Sequence, residues 1–134
     1  MTDQQAALPN LPGYGCWYEI PCTDLDASQK FYEAVLGISM IKEANTALPN
    51  PMVWFQHPET PGTLGHLYPG TPAKDGSGNT VHILSTDPLE DVMPRVEEAG
   101  GKVVSPIVPL PVGRFVYITD PDGNSIGLFN WKQQ

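Results

Sequence analysis

Residues 16–37, CWYEIPCTDLDASQKFYEAVLG, hold a strand, a helix cap, a helix and a glycine stop in one unbroken run. Across Cys16–Cys22 the side chains alternate. Tyr18, Ile20 and Cys22 fall on one face, and Trp17, Glu19 and Pro21 on the other. Thr23 or Asp24 then offers a side-chain oxygen to the first free N–H groups of a helix from about Leu25 to Val35. That helix turns Leu25, Phe31, Val35 and Leu36 toward a core, and Gly37 ends it. The same order returns in residues 80–101, TVHILSTDPLEDVMPRVEEAGG, as a strand over Thr80–Thr86, a helix over Pro88–Ala99 and a stop at Gly100-Gly101. A shift of 64 residues lays Ile20 on Leu84, Leu25 on Leu89, Tyr32 on Val96, Gly37 on Gly101 and Met40 on Val104. Such a repeat predicts two copies of one supersecondary unit.

Working outward, Ile38–Glu43, Pro51–His57 and Thr63–Tyr68 read as three short strands after the first helix. Lys102–Ile107, Arg114–Thr119 and Ser125–Trp131 read as three after the second. Residues 69–79, PGTPAKDGSGN, hold almost nothing apolar and read as the linker. The expected organisation is a lead-in over 1–13 and one domain over 14–131, with module one at 14–68 and module two at 80–131. Each module is a βαβββ unit, too small to bury both faces of its own sheet, so the two should pack together.

Composition narrows the function classes. The chain has 134 residues, 15 acidic and 7 basic, for a net charge of -8. The bases stand singly, so nothing tracks a phosphate backbone and nucleic-acid binding is not expected. No apolar run approaches the roughly 20 residues that span a bilayer. No membrane association and a cytoplasmic location are the expectation. Cys16 and Cys22, at the ends of one strand, would lie about 20 Å apart, too far for a disulfide, and both read as buried thiols. No nucleophile elbow, P-loop or dinucleotide fingerprint occurs, and GSGN at 76–79 is linker composition.

Three segments carry a family resemblance. Residues 19–37, EIPCTDLDASQKFYEAVLG, resemble the opening of a vicinal-oxygen-chelate module of the glyoxalase/bleomycin-resistance type. Residues 89–101, LEDVMPRVEEAGG, are similar to its second-module helix, and residues 120–128, DPDGNSIGL, to its closing turn and last strand. The resemblance implies an α+β fold of two βαβββ modules with cupped mixed sheets forming a cleft. In metal-dependent members, His, Gln or Glu on the first strand of each module and Glu on the last hold a divalent ion. Here the matching positions are Trp17, Val81, Gly127 and either Gly65 or His66, so His66 alone suits a metal. His82 should face away from the Val81 position and lie under the second helix. No cofactor is expected, although a divalent metal stays open through other ligands such as Glu19, His57 and His66. Asp120 and Asp122 read as turn-forming acceptors rather than a calcium loop.

Trp17 and Glu19 share the face that would turn toward the cup. Trp54, His66, Tyr68, Tyr117 and Phe129 lie on strands that would also line it, giving a carboxylate beside aromatic walls. Glu19, desolvated against Trp17, would have a raised pKa and act as a general acid or base. One of Trp54 and Phe55 should enter the core. His57 reads as a loop residue and Arg114 as a solvated surface residue. The expected function is a glyoxalase-related protein that binds a small organic molecule in an aromatic cleft without the usual metal. A metal-dependent lyase, isomerase or dioxygenase is the alternative, and a non-catalytic interaction domain follows it. Two-module relatives are often dimers, so a homodimer is also expected from the resemblance.

Overall fold

The computed structural model describes residues 17–43, 51–55 and 65–132. In the first half, β1 (Tyr18–Cys22) leads into α1 (Leu25–Leu36), followed by β2 (Ile41–Glu43), β3 (Met52–Phe55) and β4 (Gly65–Pro69). These strands form one sheet in the order β1-β4-β3-β2, with β1 parallel to β4 and the other pairs antiparallel. In the second half, β5 (Thr80–Leu84) leads into α2 (Leu89–Glu98), then β6 (Lys102–Val103), β7 (Val108–Leu110), β8 (Gly113–Thr119) and β9 (Ser125–Trp131). The order is β5-β9-β8-β6, again with one parallel pair, β5 and β9, and β7 also pairs with β8. The fold is therefore α+β, built from two βαβββ modules.

Local chemistry sets these boundaries. Asp24, not Thr23, caps α1, its Oδ1 accepting from the Ala27 N–H at 3.0 Å. Gly37 closes α1 at φ 68°, a conformation costly to any residue with a Cβ. Of the strand expected over Lys102–Ile107 only Lys102–Val103 forms, as β6, and the chain rejoins the ladder as β7 at Val108–Leu110, past the expected end. Pro106 between them has no N–H to give to the ladder. The Ser105 hydroxyl takes over locally, accepting from the Tyr117 N–H at 2.9 Å.

Each helix covers one face of its own sheet. Ile20, Cys22, Val53 and Leu67 meet Phe31, Tyr32, Val35 and Leu36 in one buried cluster. Ile83, Val116, Ile126 and Leu128 meet Leu89, Val92 and Val96. Phe55 joins the core side, its ring 5.2 Å from Tyr32, so Trp54 takes the opposite face. Cys22 is a buried free thiol whose S–H points at the Tyr68 carbonyl. Burial pushes its pKa up to about 11, which keeps it unreactive at neutral pH. Cys16 lies outside the described residues, as do the lead-in and His57.

The repeat is real, but the 64-residue shift holds only in the helices, where Leu25 matches Leu89 and buried Tyr32 matches buried Val96. In the first strands and after the helices the match is one residue less. Buried Ile20 corresponds to buried Ile83, whereas Leu84 is exposed. Left-handed Gly37 corresponds to left-handed Gly100, and Met40 to Val103 rather than to exposed Val104. The segment from Thr86 to Pro88 is one residue longer than Thr23-Asp24, which accounts for the first slip.

The modules are joined by the turn after β8. Asp120 is buried and accepts the Tyr32 hydroxyl of α1 at 2.6 Å. It also accepts the Asp122 and Asn124 N–H groups and the Asn124 side-chain amide. Asn124 donates onward to the Pro21 carbonyl of β1 at 2.8 Å, and Thr23 donates to Asp122 at 2.7 Å. The linker docks on the same turn, where the Gly76 N–H meets the Gly123 carbonyl at 2.7 Å. Gly123 has φ 87°, and a Cβ there would come within 2.8 Å of the Asp75 nitrogen.

Two predictions follow from this junction. Tyr32→Phe should cost about 1.5–3 kcal/mol in denaturant unfolding, the range for a hydrogen bond to a charged group, and Asp120→Ala should cost more because it strands four donors. Burial, then the Asp120 charge, pushes the Tyr32 pKa well above its ordinary value. The folded state thus holds this proton more tightly than the unfolded chain. The associated stability is complete below about pH 10 and falls above it, by roughly 1.4 kcal/mol per pH unit for each such tyrosine. Tyr18, raised to about 12 by burial, contributes in the same direction. Unfolding measured from pH 9 to 11 should show a shallower alkaline loss in Tyr32→Phe than in the parent chain.

Candidate functional site

The faces turned away from the helices carry the candidate residues. On the first sheet, β1 and β4 pair so that Glu19 stands beside His66, and β3 brings Trp54 opposite His66 from the other side. His66 Nε2 lies 3.1 Å from Glu19 Oε1. The Trp54 and His66 rings meet edge to face at 4.7 Å, and Tyr68 stands 6.2 Å from His66 along the same strand. The histidine is almost wholly enclosed, with 3% of its side chain exposed against 56% for Glu19. Glu19 is therefore an open carboxylate anchored from beneath, not the desolvated group that its place beside Trp17 suggested. Trp17 shares its face but is itself largely exposed. His66 Nδ1 is buried and has no hydrogen-bond partner among the described residues.

This pairing resolves the register between Gly65 and His66. His66 lies across from Glu19 and faces the open side. Gly65 lies across from Tyr18, where a Cβ would run into the tyrosine ring. The equivalent triad on the second sheet is His82, Gly127 and Tyr117, from β5, β9 and β8. His82 does not lie under α2. It is exposed on the open face, with its ring over Gly127 and against Phe115 and Tyr117 at 5.2 and 5.9 Å. Val81 packs toward the core instead. The extra residue between β5 and α2 hid this in the sequence, because matching by the helices displaces β5 by one position and exchanges its faces.

The aromatic candidates fall into two sets. Trp54, His66 and Tyr68 gather on the first sheet. Tyr117 stands with His82 and Phe115 on the second, where Phe129 meets Trp131 at 4.8 Å. Among the described residues, no ring contact links the sets. Beyond Phe129 the second sheet ends in a cavity of about 890 Å³, lined in part by Leu84, Leu110, Arg114 and Trp131. Arg114 is not simply solvated. Its two terminal nitrogens meet the Glu90 carboxylate at 2.6 Å each, and it also donates to Asn130. The Glu90 contact raises the Arg114 pKa and lowers that of Glu90, which favours the charged form of each.

Among the described residues, no three His, Cys, Asp or Glu side chains come close enough to share an ion. Trp17 and Gly127 supply no donor atom, and the Glu19–His66 pair is short of the three or four ligands a stable zinc site takes.

A pair of βαβββ modules with polar and aromatic groups on open sheet faces defines a class in which the folds are shared and the chemistry is set by a few facing side chains. Residues 17–128 match the family model of the Glyoxalase/Bleomycin resistance protein/Dioxygenase superfamily, and the chain belongs to that family. It is 27% identical over 135 residues to the anthracycline biosynthesis protein DauV of a Streptomyces, covering 96% of this chain and 45% of that protein. It is 30% identical over 121 residues to a putative glyoxylase of Mycobacterium tuberculosis, covering 88% and 44%. The chain thus spans less than half the length of these curated relatives. A glyoxalase/bleomycin resistance protein from Albidiferax ferrireducens superposes with a TM-score of 0.59 at 25% identity, covering 85% of this chain and 95% of that one. No helix among the described residues is long and apolar enough to cross a membrane.

The donor set predicts the response to metals. Zn, Ni, Mn, Co or Fe added to the chelator-treated protein should leave its thermal midpoint unchanged to within about 1 °C, because a ligand stabilises only in proportion to its binding. A shift of several degrees that His66→Ala abolishes would show that a metal is held after all.

Proposed function

We propose that the chain binds a small organic molecule on the open face of the first sheet, without the divalent metal typical of its family. The observation that carries this reading is the Glu19–His66 pair, an exposed carboxylate held by a buried imidazole and flanked by Trp54 and Tyr68. Glu19 as the acceptor at Oε1 favours a proton on His66 Nε2. Among the described residues its second oxygen has no hydrogen-bond partner and would be the one to receive a ligand. A hydroxyl or ammonium group on an aromatic body suits this arrangement, since the carboxylate takes the donor and the ring edges take the body. Glu19 is also the group that would accept a proton from a bound molecule, with His66 as a positioning residue beneath it.

Two further observations support the reading. The residues matching the family's ligand positions are mostly donor-free, so the remaining polar pair is better suited to hydrogen bonding than to coordination. One relative is named for anthracycline biosynthesis, which puts anthracyclines early in any ligand screen. The scattered bases and acidic balance favour no nucleic-acid partner, and nothing in the chemistry calls for a membrane. Exposed Trp17, Tyr117 and Trp131 on the open faces support a homodimer as part of the same proposal.

The test is a thermal-shift screen of hydroxylated and amine-bearing aromatic compounds, anthracyclines included. At a hundredfold excess over its Kd a true ligand stabilises by about 2.7 kcal/mol. Hits should be lost in Glu19→Gln and Trp54→Ala and retained in Glu98→Gln, an exposed control. Hits indifferent to Glu19 and Trp54, or no hits at all, would remove the proposal.

A further inference from the structure

The open face of the second sheet changes character along its strands, and the register fixes how. Residues directly across a ladder point to the same side, so Thr80, Ser125, Thr119 and Lys102 form one row across β5, β9, β8 and β6. Two residues further along β5 and β9 the row is His82, Gly127 and Tyr117. Two further again it is Leu84, Phe129 and Phe115. The alternate residues Ile83, Ile126, Leu128, Val116 and Ile118 are buried in the core, whereas every side chain of the three rows is exposed or half-buried. The face therefore runs from hydroxyls, through an imidazole and a phenol, to an apolar end. Thr80 to Leu84 covers about 13 Å of it. Gly127 keeps the middle row low, because the His82 ring lies across it where a Cβ would stand. Phe115 and Tyr117 hold that ring edge to face.

The chemistry differs from that of the Glu19 face. The chain has 15 acidic residues, yet the strands of this sheet carry none. Its polar groups share one property instead. A hydroxyl both donates and accepts, and a neutral imidazole does each through a different nitrogen. Thr80 and Ser125 already share one such bond at 2.5 Å, which uses one of their two hydroxyl protons and leaves the other to donate. A carboxylate ligand calls for donors alone and an ammonium for acceptors alone. Groups that do both are matched by the hydroxyls of a neutral ligand. Leu84, Phe129 and Phe115 then offer a platform to a flat apolar body. We propose that this face is a second binding site, for neutral aryl glycosides, with the sugar hydroxyls over Thr80, Ser125 and His82 and the aromatic aglycone over Leu84, Phe115 and Phe129. The site does not rest on the Glu19 reading, since it uses no residue of the first sheet.

Isothermal titration calorimetry with 2-naphthyl β-glucoside and its two halves, 2-naphthol and methyl β-glucoside, tests this. A phenol would also suit the Glu19 carboxylate, so the titrations are made in Glu19→Gln beside the parent chain. The Glu19→Gln chain should bind the glycoside saturably, one per chain, about tenfold or more tighter than either half. In the same background His82→Ala should weaken the glycoside about tenfold and leave 2-naphthol unchanged, whereas Leu84→Asp should weaken both. Both positions are exposed, and circular dichroism confirms the fold of each variant. Failure of the Glu19 site leaves these results as they are, so the two readings are distinguishable. Absence of saturable binding in Glu19→Gln, a glycoside no tighter than 2-naphthol, or indifference to either His82→Ala or Leu84→Asp would each overturn the proposal.

Discussion

A single buried carboxylate ties the two halves of this protein together. Asp120 sits in the turn between β8 and β9 and receives donors from its own turn, from Asn124 and from Tyr32 on the helix of the other module. An ionised carboxylate is expensive to bury unless its lone pairs are met, and here they are met only when both modules are folded and docked. The same turn reaches β1 through Asn124 and the Pro21 carbonyl, and the linker through Gly123. Because β1 carries Glu19 and β9 carries Trp131, the orientation of both open faces depends on this one network.

The elements were largely legible in the sequence because they follow short-range rules. Alternation along CWYEIPC placed Glu19 and Trp17 opposite Ile20 and Cys22, and the structure keeps that division. The Asp24 cap, the Gly37 stop and the DPDGN turn are local chemistry and were readable as such. Properties set by distant residues were not. Arg114 read as a solvated side chain because its partner Glu90 lies on a separate helix. Glu19 read as desolvated because its neighbours in sequence are apolar, whereas its exposure is set by β4 across the sheet.

His82 shows a subtler failure. Helix and strand repeats need not share one offset, since a single added residue between them shifts one against the other. In a helix such a shift turns a side chain by about 100°, but in a strand it exchanges the two faces. Matching by the helices therefore assigned Val81 to the open face and His82 to the core, the reverse of their places. The signal that would have corrected it was available in the strand itself: Ile83, not Leu84, continues the apolar pattern of β5 toward Ile126 and Leu128 on its neighbour.

Once the faces are set correctly, the two sheets are seen to have diverged from a common plan. Glu19, His66 and Trp54 on the first correspond to His82, Gly127 and Tyr117 on the second. At the middle position one module has an imidazole and the other has no side chain, and the space above Gly127 is taken by the ring of His82. Each polar group is thereby drawn to a partner within its own sheet, Glu19 to His66 and His82 to the aromatic rings beside it. A duplicated fold whose equivalent positions differ in this way has no symmetric donor set to offer a metal. What it keeps is a hydrogen-bonded carboxylate and imidazole on one open face and an imidazole stacked among aromatic rings on the other.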